Sequence, residues 1–289
     1  MLPLISIVIP TFNSAPFLSH CLGSIAKQDY PKLEVVVVDN CSTDATGKIV
    51  DRYSRLITRF ISEPDRGQAD AVTKGLRIAA GDIAHWHASD DILLPNALHQ
   101  VASAFSSNPN LDLVFSDGLA FDAHGVYAGA YSRFVDFWTS LLFFGRFQSD
   151  CAYWRHSITP AALPLDDEKR LTCDEDFFLR LWAGRPHMWI PRPLGAFRIR
   201  DGQLSGRLPK SEVAAHRADS RRRVCAAMGL SSAEADRLRR TYRWKYLLGS
   251  CIAPRAYSAA RFAVRKLTFD WTRRRYAEWF LKEWLREVG

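Results

Sequence analysis

The chain has 289 residues, of which 47% are hydrophobic and 24% are charged, and it carries a net charge of +8. This is the composition of a folded protein with a sizeable core, and it excludes a disordered or fibrous chain. No run of about 18 apolar residues appears, and residues 1–10 lack the features of a signal peptide. We therefore expect a cytoplasmic protein, or one bound peripherally to the cytoplasmic face of the membrane.

The six cysteines, at positions 21, 41, 151, 173, 225 and 251, show neither a C-x-x-C pair nor the spacing of a metal site. Scattered cysteines of this kind favour reduced thiols over a disulfide framework. The chain is therefore expected to fold without covalent cross-links.

The basic character is confined to the C-terminal part of the chain. Residues 207–289 contain 20 Lys+Arg and 8 Asp+Glu, a net charge of +12, which leaves −4 of the total +8 for residues 1–206. This division predicts a first domain over residues 1–206 and a basic helical extension over residues 207–289.

The first hundred residues alternate between apolar runs and helix-forming segments. The predicted strands are Leu4–Ile9, Leu33–Val38, Leu56–Ile61 and Asp82–Trp86, with a fifth at Leu111–Ser116. The predicted helices are Pro16–Lys27, a segment from Ser42 to about Arg55, Gly67–Ala79, and Pro95–Ser106. Strands and helices that alternate at this spacing predict an α/β fold with a parallel sheet and crossover helices.

The rest of the chain is less regular. Cys173–Trp182 begins with acidic residues and continues as an amphipathic helix, and His187–Ile190 and Gly195–Ile199 are predicted as late strands. An aromatic segment before residue 150 is interpreted as core or lid packing rather than ligand stacking. Its residues are Phe134, Phe137, Trp138, Phe143, Phe144 and Phe147.

The last residues are predicted to form an amphipathic helix. Its apolar face comprises Trp271, Ala277, Phe280, Leu281, Trp284 and Val288, and its charged face is rich in arginine and lysine. Two alternatives stay open for this helix. It lies on a membrane surface, or it packs on the body of the protein and exposes its basic face.

Acidic residues stand where three of the predicted elements end or begin. Asp39 closes the second strand and can hydrogen-bond a base or a ribose. Asp90 and Asp91 follow the fourth strand, where a carboxylate pair suits a divalent cation that also binds phosphate; capping the next helix is the alternative for Asp90. The acidic cluster at 174–176 either stabilises a helix dipole or, if it faces the site, removes a proton from a hydroxyl group.

Five motifs in a fixed order resemble those of a known family. They are SIVIPTFN, EVVVVDNCSTD, SEPDRGQADAVTKG, ASDD and DEDFFLRLW, spread over about residues 4–200. Together they resemble the family-2 inverting glycosyltransferases with the GT-A fold, in particular the bacterial branch that builds cell-surface polysaccharides. The resemblance implies a Rossmann-like, mostly parallel sheet flanked by helices. It also implies metal-dependent transfer of a sugar from a UDP- or dTDP-sugar donor to a hydroxyl group of a glycan or lipid-linked acceptor.

The resemblance implies roles for individual residues as well. Asp90 would be the main ligand of Mg²⁺ or Mn²⁺, with Asp91 adjacent to it. Asp174 would be the catalytic base, with Asp176 as the second candidate. The nucleotide-binding residues would be Pro10, Thr11, Asn13, Asp39, Asp65, Arg66 and Lys74. The diphosphate and acceptor side would include Gln148, Arg198 and Arg200.

Several positions depart from the family pattern. Ala88 stands in the first place of the D-x-D-D motif, so one potential metal ligand is absent, and His87 is a candidate to compensate. Cys173 replaces a glutamate before the base, and Thr73 replaces an asparagine. Arg200 replaces a histidine, which puts a fixed positive charge near the diphosphate and lessens the demand on a metal.

Other functions compete with this interpretation. A nucleotidyltransferase would show a glycine-rich, basic loop after the first strand, and TFNSAP is not such a loop. A non-catalytic protein that binds nucleotide sugars or anionic surfaces is the main alternative, which a test of activity decides. Nucleic-acid binding would suit the basic extension, but no recognised nucleic-acid motif accompanies it.

The chain lacks the Q-x-x-R-W motif of processive synthases. We therefore expect one sugar to be added per encounter. A lipid-linked glycan at the cytoplasmic membrane face is the expected acceptor, because basic residues near tryptophans favour an anionic membrane surface.

Overall fold

The computed structural model describes residues 1–122, 127–131, 137–143, 149–169, 172–200, 209–252 and 281–289. The cysteines at positions 21, 41, 151, 173 and 225 are free thiols, as expected from their spacing. Some of the sequence predictions lie outside the described residues. They concern Phe134, Phe144, Phe147, Gln148, Trp271, Ala277 and Phe280.

The first seven elements alternate between strand and helix. In chain order they are β1 (Ile5–Thr11), α1 (Ala15–Ala26), β2 (Leu33–Asp39), α2 (Thr46–Arg52), β3 (Arg59–Ser62), α3 (Gln68–Ile78) and β4 (Ile83–Trp86). Strands β3, β2, β1 and β4 lie side by side in this order, and each neighbouring pair is parallel. The predicted alternation is confirmed. Its cause is the unbroken apolar runs of β1 and β2, which are buried as central parallel strands are.

The second half of the domain completes the sheet. Its elements are β5 (Ile92–Leu93), α4 (Ala97–Ser107), β6 (Leu113–Asp122), β7 (Tyr127–Tyr131), α5 (Phe137–Phe143), β8 (Ala152–Arg155), α6 (Cys173–Trp182) and β9 (His187–Ile199). The described strands form one sheet in the order β3-β2-β1-β4-β8-β6-β9-β5, with β7 paired to β6. Because β8 runs antiparallel to both β4 and β6, strands β6 and β9 run in the direction of β1–β4. The sheet is therefore mostly parallel, as predicted.

Two features of this half differ from the sequence prediction. Strand β8 was not predicted, because its four residues carry neither alternation nor a long apolar run. The two late strands are one strand, β9. Pro191 and Pro193 lie between the two predicted strands and cannot donate ladder hydrogen bonds, but the pairing of β6 with β9 shifts register beside Asp117 and continues.

The sheet is packed on both faces. Because successive side chains of a strand point to opposite sides, Val8 and Val36 join a core with α3 and α6, whereas Ile7 and Val35 join a core with α1 and α4. Helix α3 lies close to the sheet at Gly75, where an added Cβ would be 2.3 Å from Cγ1 of Val8. These two cores fix the strand ends from which the candidate site is built.

The basic extension is helical where it is described. It contains α7 (Lys210–Ala227) and α8 (Ser232–Ile252), and residues 281–288 are helical too. Within the described ranges, no helix combines the length and the apolar character that crossing a bilayer requires.

The described part of the terminal helix packs on the body of the protein. Leu281, Trp284 and Val288 are buried in a cluster with residues of β5, β6 and β9. The indole Nε1 of Trp284 donates a hydrogen bond to the carbonyl of Leu93 over 3.0 Å. Of the two alternatives for this helix, packing on the body is the one observed for residues 281–288.

Candidate active site

The carboxyl ends of the parallel strands meet at one edge of the sheet. Thr11 at the end of β1 lies opposite Asp39 at the end of β2, and Asp39 lies opposite Ser62 at the end of β3. Asp90 and Asp91 follow β4 along the chain. Open α/β sheets bind ligands at this edge, so the fold brings the predicted nucleotide and acidic residues to the expected place.

Asp39 holds the loop that follows its own strand. Its carboxylate accepts hydrogen bonds from the backbone N–H of Ser42 (2.9 Å), from the Ser42 hydroxyl and from the Ser62 hydroxyl (2.8 Å). The side chain is buried. In this structure the carboxylate of Asp39 therefore fixes the loop after β2 and the end of β3, which together form one side of the candidate site.

The turn after β1 is tied to the same loop. Asn13 has a positive φ of 47°, donates its N–H to the Ser42 hydroxyl over 2.8 Å, and accepts from the N–H of Thr43 at Oδ1 over 2.9 Å. Pro10 is buried inside β1. The Thr11 hydroxyl is buried and has no hydrogen-bond partner within the described part of the chain. It is thus a polar group that a ligand can satisfy.

The three remaining nucleotide-side predictions lie on the segment between β3 and α3 and on α3 itself. Asp65 accepts from the N–H of Gly67 over 2.7 Å, and burial raises its pKa. Arg66 is largely exposed and pairs with Asp70 and with Asp167 over 3.2 and 3.1 Å. Lys74 contacts Glu63 over 2.8 Å, and that hydrogen bond raises the lysine pKa. The side chains of Arg66 and Lys74 are therefore both paired with carboxylates on the protein.

Two arginines at the end of β9 clamp the acidic pair. Nε of Arg200 donates to Oδ2 of Asp90 over 2.7 Å, and Nε of Arg198 donates to the Asp90 carbonyl over 2.8 Å. The backbone N–H of Arg198 donates to Oδ1 of Asp91 over 2.9 Å. Asp91 is fully buried, and burial, followed by the charges of Asp90 and Asp150, raises its pKa well above the ordinary range.

An aromatic ring of α1 supports both arginines. The guanidinium carbons of Arg198 and Arg200 lie 5.0 and 5.3 Å from the centre of the Phe17 ring. Arg198, which is buried, also lies 4.5 Å from the centre of the Phe121 ring. Cation–π contacts at these distances hold the two guanidinium groups against the aromatic rings.

The residues around the acidic pair do not fit a preformed site for Mg²⁺ or Mn²⁺. Ala88 offers no side-chain ligand, and the hydroxyl of Ser89 is bonded to that of Ser14 over 2.8 Å. His87 does not compensate, because its ring is fully buried with Nδ1 3.3 Å from Nε2 of His85. The two carboxylates are already bonded to arginines, and among the described residues no three His, Cys, Asp or Glu are placed to hold a metal.

Two other departures from the family pattern have structural roles. Thr73 is buried, donates its hydroxyl to the carbonyl of Ala69 over 2.8 Å and accepts from the N–H of Leu165 over 3.0 Å. Cys173, the first residue of α6, is buried in the core. Neither contributes a charged group to the site.

Asp174 has the environment that a general base needs. It lies in the first turn of α6, is partly buried, and accepts from the N–H of Glu175 over 2.8 Å. Burial and then the charge of Glu175 raise the pKa of Asp174 to about 7. Glu175 is held by Arg217 of α7, whose Nε donates to Oε2 over 2.6 Å. A carboxylate with a pKa near neutrality is efficient at taking a proton at physiological pH.

Asp176, the second candidate base, is part of a buried ion-pair network. It is fully buried and accepts from Nζ of Lys169 over 2.7 Å and from Nε of Arg180 over 2.8 Å. Burial opposes its ionisation, but the hydrogen bond from Lys169 and the charge of Arg180 hold its pKa below the ordinary value. Such a carboxylate is a poor proton acceptor, and its contacts are those of a structural residue.

Aromatic packing holds α6 against the end of β4. The rings of Phe177 and Phe178 lie 6.4 and 6.3 Å from the ring of Trp86, the last residue of β4. Trp154 of β8 contacts the same two rings at 5.4 and 5.7 Å. Helix α6, whose first turn carries Asp174, therefore packs against the strand that precedes Asp90 along the chain.

Sequence reasoning missed some of the residues that build this site. They are Phe17, Asn40, Ser42 and Arg217. Asn40 accepts from the N–H of Asp65 over 2.8 Å and so joins the loops after β2 and β3. The motif letters contained both Asn40 and Ser42, but Arg217 lies in another element and carried no sequence signal.

Comparisons with known proteins decide the family. Residues 6–163 match the model of Glycosyl transferase family 2, and this match covers more than half of the chain. The chain belongs to glycosyl transferase family 2. A PGL/p-HBAD biosynthesis glycosyltransferase of Mycobacterium bovis is 30% identical over 185 residues, which are 63% of this chain and 70% of that protein. The poly(ribitol-phosphate) beta-N-acetylglucosaminyltransferase TarS of Staphylococcus aureus is 33% identical over 126 residues, 42% of this chain and 22% of TarS.

Solved structures of glycosyltransferases share the fold. That of TarS 1–349 in complex with UDP-GlcNAc has a TM-score of 0.63 at 20% identity, over 81% of this chain and 70% of that one. The mannosyltransferase PcManGT from Pyrobaculum calidifontis, in complex with GDP-Man and Mn²⁺, has a TM-score of 0.55 at 20% identity, over 100% of this chain and 86% of that one. The GT-A architecture is confirmed, and this family-2 protein is an enzyme of the glycosyltransferase class.

Proposed function

We propose that this glycosyltransferase moves a sugar from a UDP- or dTDP-sugar to a hydroxyl group of a glycan or lipid-linked acceptor, with inversion at the anomeric carbon. One observation carries the proposal. The turn after β1, which carries Asn13, is joined to the segment before Asp90 by the hydrogen bond between the hydroxyls of Ser14 and Ser89 (2.8 Å), and Arg200 is paired with Asp90 there. Polar groups for a nucleoside thus stand next to fixed positive charge for a diphosphate.

The nucleoside is assigned to the wall between the loops after β1, β2 and β3. The Thr11 hydroxyl, which has no partner among the described residues, offers a hydrogen bond. Asp39 ends β2, and Asp65, beyond the end of β3, donates its backbone N–H to the side chain of Asn40. The crystal structures of TarS 1–349 in complex with UDP and with UDP-GlcNAc support a uridine nucleotide. Arg66 and Lys74 lie at the rim, and we assign them to the outer edge of the nucleotide.

Asp174 is the proposed base. Its carboxylate takes the proton of the acceptor hydroxyl, whose oxygen attacks the anomeric carbon from the face opposite the nucleotide. The bond from that carbon to the diphosphate oxygen breaks, and the nucleoside diphosphate leaves. A pKa of about 7 allows Asp174 to be ionised and still basic at physiological pH. Asp176 holds α6 in place through Lys169 and Arg180.

The negative charge that develops on the leaving diphosphate is assigned to Arg198 and Arg200. Positive groups fixed in place before the reaction stabilise such charge without reorganising. The Mg²⁺ or Mn²⁺ predicted from the sequence does not enter these steps, because the carboxylates at this place are bonded to the arginines. The acceptor-side role of Gln148 stays a prediction.

The acceptor is proposed to lie at a negatively charged surface. The relatives named above act in PGL/p-HBAD biosynthesis and on poly(ribitol-phosphate), which supports a cell-surface glycan. Residues 207–289 carry 20 Lys+Arg and 8 Asp+Glu, a charge that favours peripheral binding to the cytoplasmic face of an anionic membrane.

A screen of nucleotide sugars tests the proposal. The purified chain is incubated with UDP-, dTDP- and GDP-sugars and simple glycan acceptors, with and without Mn²⁺, and release of the nucleoside diphosphate is measured. We expect turnover of a UDP- or dTDP-sugar, and a product whose anomeric configuration by NMR is opposite to that of the donor. Binding of donors without any turnover would instead support the non-catalytic alternative, and retained configuration would contradict the mechanism.

A further inference from the structure

We propose that Arg200 takes the place of the divalent cation in this site: its guanidinium, anchored on Asp90, binds the donor diphosphate, and transfer proceeds without a metal ion. The inference rests on the proposed function and concerns the same site. It follows from the geometry of four residues, Arg200, Asp90, Arg198 and Phe17.

Arg200 is anchored at one edge and exposed at the other. Its Nε donates to Oδ2 of Asp90 over 2.7 Å, and the arginine side chain is 35% exposed whereas that of Asp90 is 13% exposed. A guanidinium has five N–H donors in a rigid plane, so one bond to Asp90 leaves the outer donors for another anion. That planar set matches phosphate oxygens in a bidentate way.

The position of Arg200 is fixed from two sides. Phe17 lies under its guanidinium at 5.3 Å and under that of Arg198 at 5.0 Å. Arg198 donates through its backbone N–H and through Nε to Asp91 and to the Asp90 carbonyl, so the segment that carries both arginines is tied to the acidic pair. A positive group held in this manner is preorganised for the diphosphate.

The local charges already favour an anionic ligand. Asp91 is buried and accepts a hydrogen bond from a backbone N–H. The carboxylate of Asp90 is paired with Arg200, and Arg198 donates to the backbone carbonyl of Asp90. A divalent cation that used Asp90 would have to displace Arg200 and find further ligands. Ala88, Ser89 and the buried His87 do not supply them.

Binding and turnover in the absence of metal test this inference. UDP binding is measured by isothermal titration calorimetry, and release of UDP from a UDP-sugar is measured in parallel, each in EDTA and in Mn²⁺. For the unmodified protein we expect the two conditions to agree within about threefold. Electron paramagnetic resonance of added Mn²⁺, with UDP present, should show the same signal with and without the protein.

Two substitutions at position 200 complete the test. Arg200→Ala should weaken UDP binding in EDTA by roughly 10-fold to 100-fold, the worth of a charge-assisted hydrogen bond of about 1.5–3 kcal/mol. Arg200→His frees Asp90 and offers an imidazole, so its UDP binding should become stronger in Mn²⁺ than in EDTA. Arg222→Ala is the matched control, since this exposed arginine of α7 pairs with Asp219 and its loss should leave UDP binding unchanged.

The outcomes separate the two proposals. If EDTA abolishes UDP binding and turnover by the unmodified protein and Mn²⁺ restores both, the metal-free role of Arg200 is overturned while the proposed function stands. If Arg200→Ala binds UDP in EDTA as well as the unmodified protein does, the role is overturned as well. If no nucleotide sugar is bound or turned over in either condition, the proposed function fails and this inference fails with it.

Discussion

Arg200 and Asp90 form an ion pair in which Nε donates to Oδ2 over 2.7 Å, although the two residues are 110 positions apart in the chain. Asp90 follows β4, and Arg200 follows β9 directly. This ion pair could not be predicted from the acidic motif itself. The carboxylate that the motif predicts as a metal ligand is bonded to an arginine in the structure.

The raised pKa of Asp174 predicts the pH dependence of the reaction. Asp174 must be ionised to accept a proton, and its pKa is about 7. A plot of log(kcat/KM) against pH should therefore fall with a slope of about one as the pH decreases below about 7. The measurement is a pH profile of donor turnover between pH 5 and 9, with UDP binding followed over the same range as the control. A profile that stays flat down to pH 5 would contradict the assignment.

The same raised pKa predicts that Asp174 lowers the free energy of unfolding at high pH. The folded state binds the proton more tightly than the unfolded state, in which an aspartate has a pKa of about 3.9, so this contribution to stability is lost as pH rises from about 4 through 7. Asp174→Asn should therefore raise the Tm by a few degrees at pH 8. At pH 4.5 the substitution should leave the Tm nearly unchanged, and calorimetry at both pH values is the measurement. An equal shift at the two pH values would show that the pKa is not raised.

Asp176 should behave in the opposite way. Asp176→Asn leaves Lys169 and Arg180 without their buried partner, and breaking a buried ion pair costs roughly 3–5 kcal/mol of unfolding free energy. Asp219→Asn is the matched control, because Asp219 contacts the same lysine over 3.0 Å from a more exposed position and should cost about 1 kcal/mol or less. Urea unfolding distinguishes them. Asp176 would be the better candidate for the base if its substitution removed activity at unchanged stability.

Trp284 should stabilise the domain from the far end of the chain. It is buried and donates to the Leu93 carbonyl, so Trp284→Ala should cost roughly 3–5 kcal/mol in a thermal or urea unfolding experiment. Arg286→Ala, on the exposed face of the same helix, should change stability by less than about 0.5 kcal/mol. If Trp284→Ala left stability unchanged and reduced binding to anionic vesicles, the helix would be a membrane element instead.

The sequence predicted the parallel half of the sheet well, because the runs at β1 and β2 are buried on both faces and their apolar character is continuous. It did not predict β8, which is held by pairing with β4 and β6 rather than by a pattern of its own. It also divided β9 at two prolines that the register shift accommodates. The formation of β8 and the continuity of β9 depend on pairing with other strands, which the local sequence does not show.

For the candidate site too, some features could be predicted from the sequence and others could not. Motif letters located Asp90, Asp91 and Asp174 at the correct strand and helix ends, since local signals mark those ends. They could not show that Arg200 pairs with Asp90 or that Arg217 holds Glu175, because such pairs join residues far apart in the chain. The environment of a carboxylate, and hence its pKa and its role, is a property of the fold.

The most direct test of the account is UDP-sugar or dTDP-sugar turnover by the unmodified protein and by Asp174→Asn, with nucleotide binding measured for both. The account predicts that the substitution lowers kcat by roughly 10²–10⁴-fold, the usual worth of a general base, while the Kd for UDP changes by less than about threefold. Equal turnover by the two proteins would contradict it.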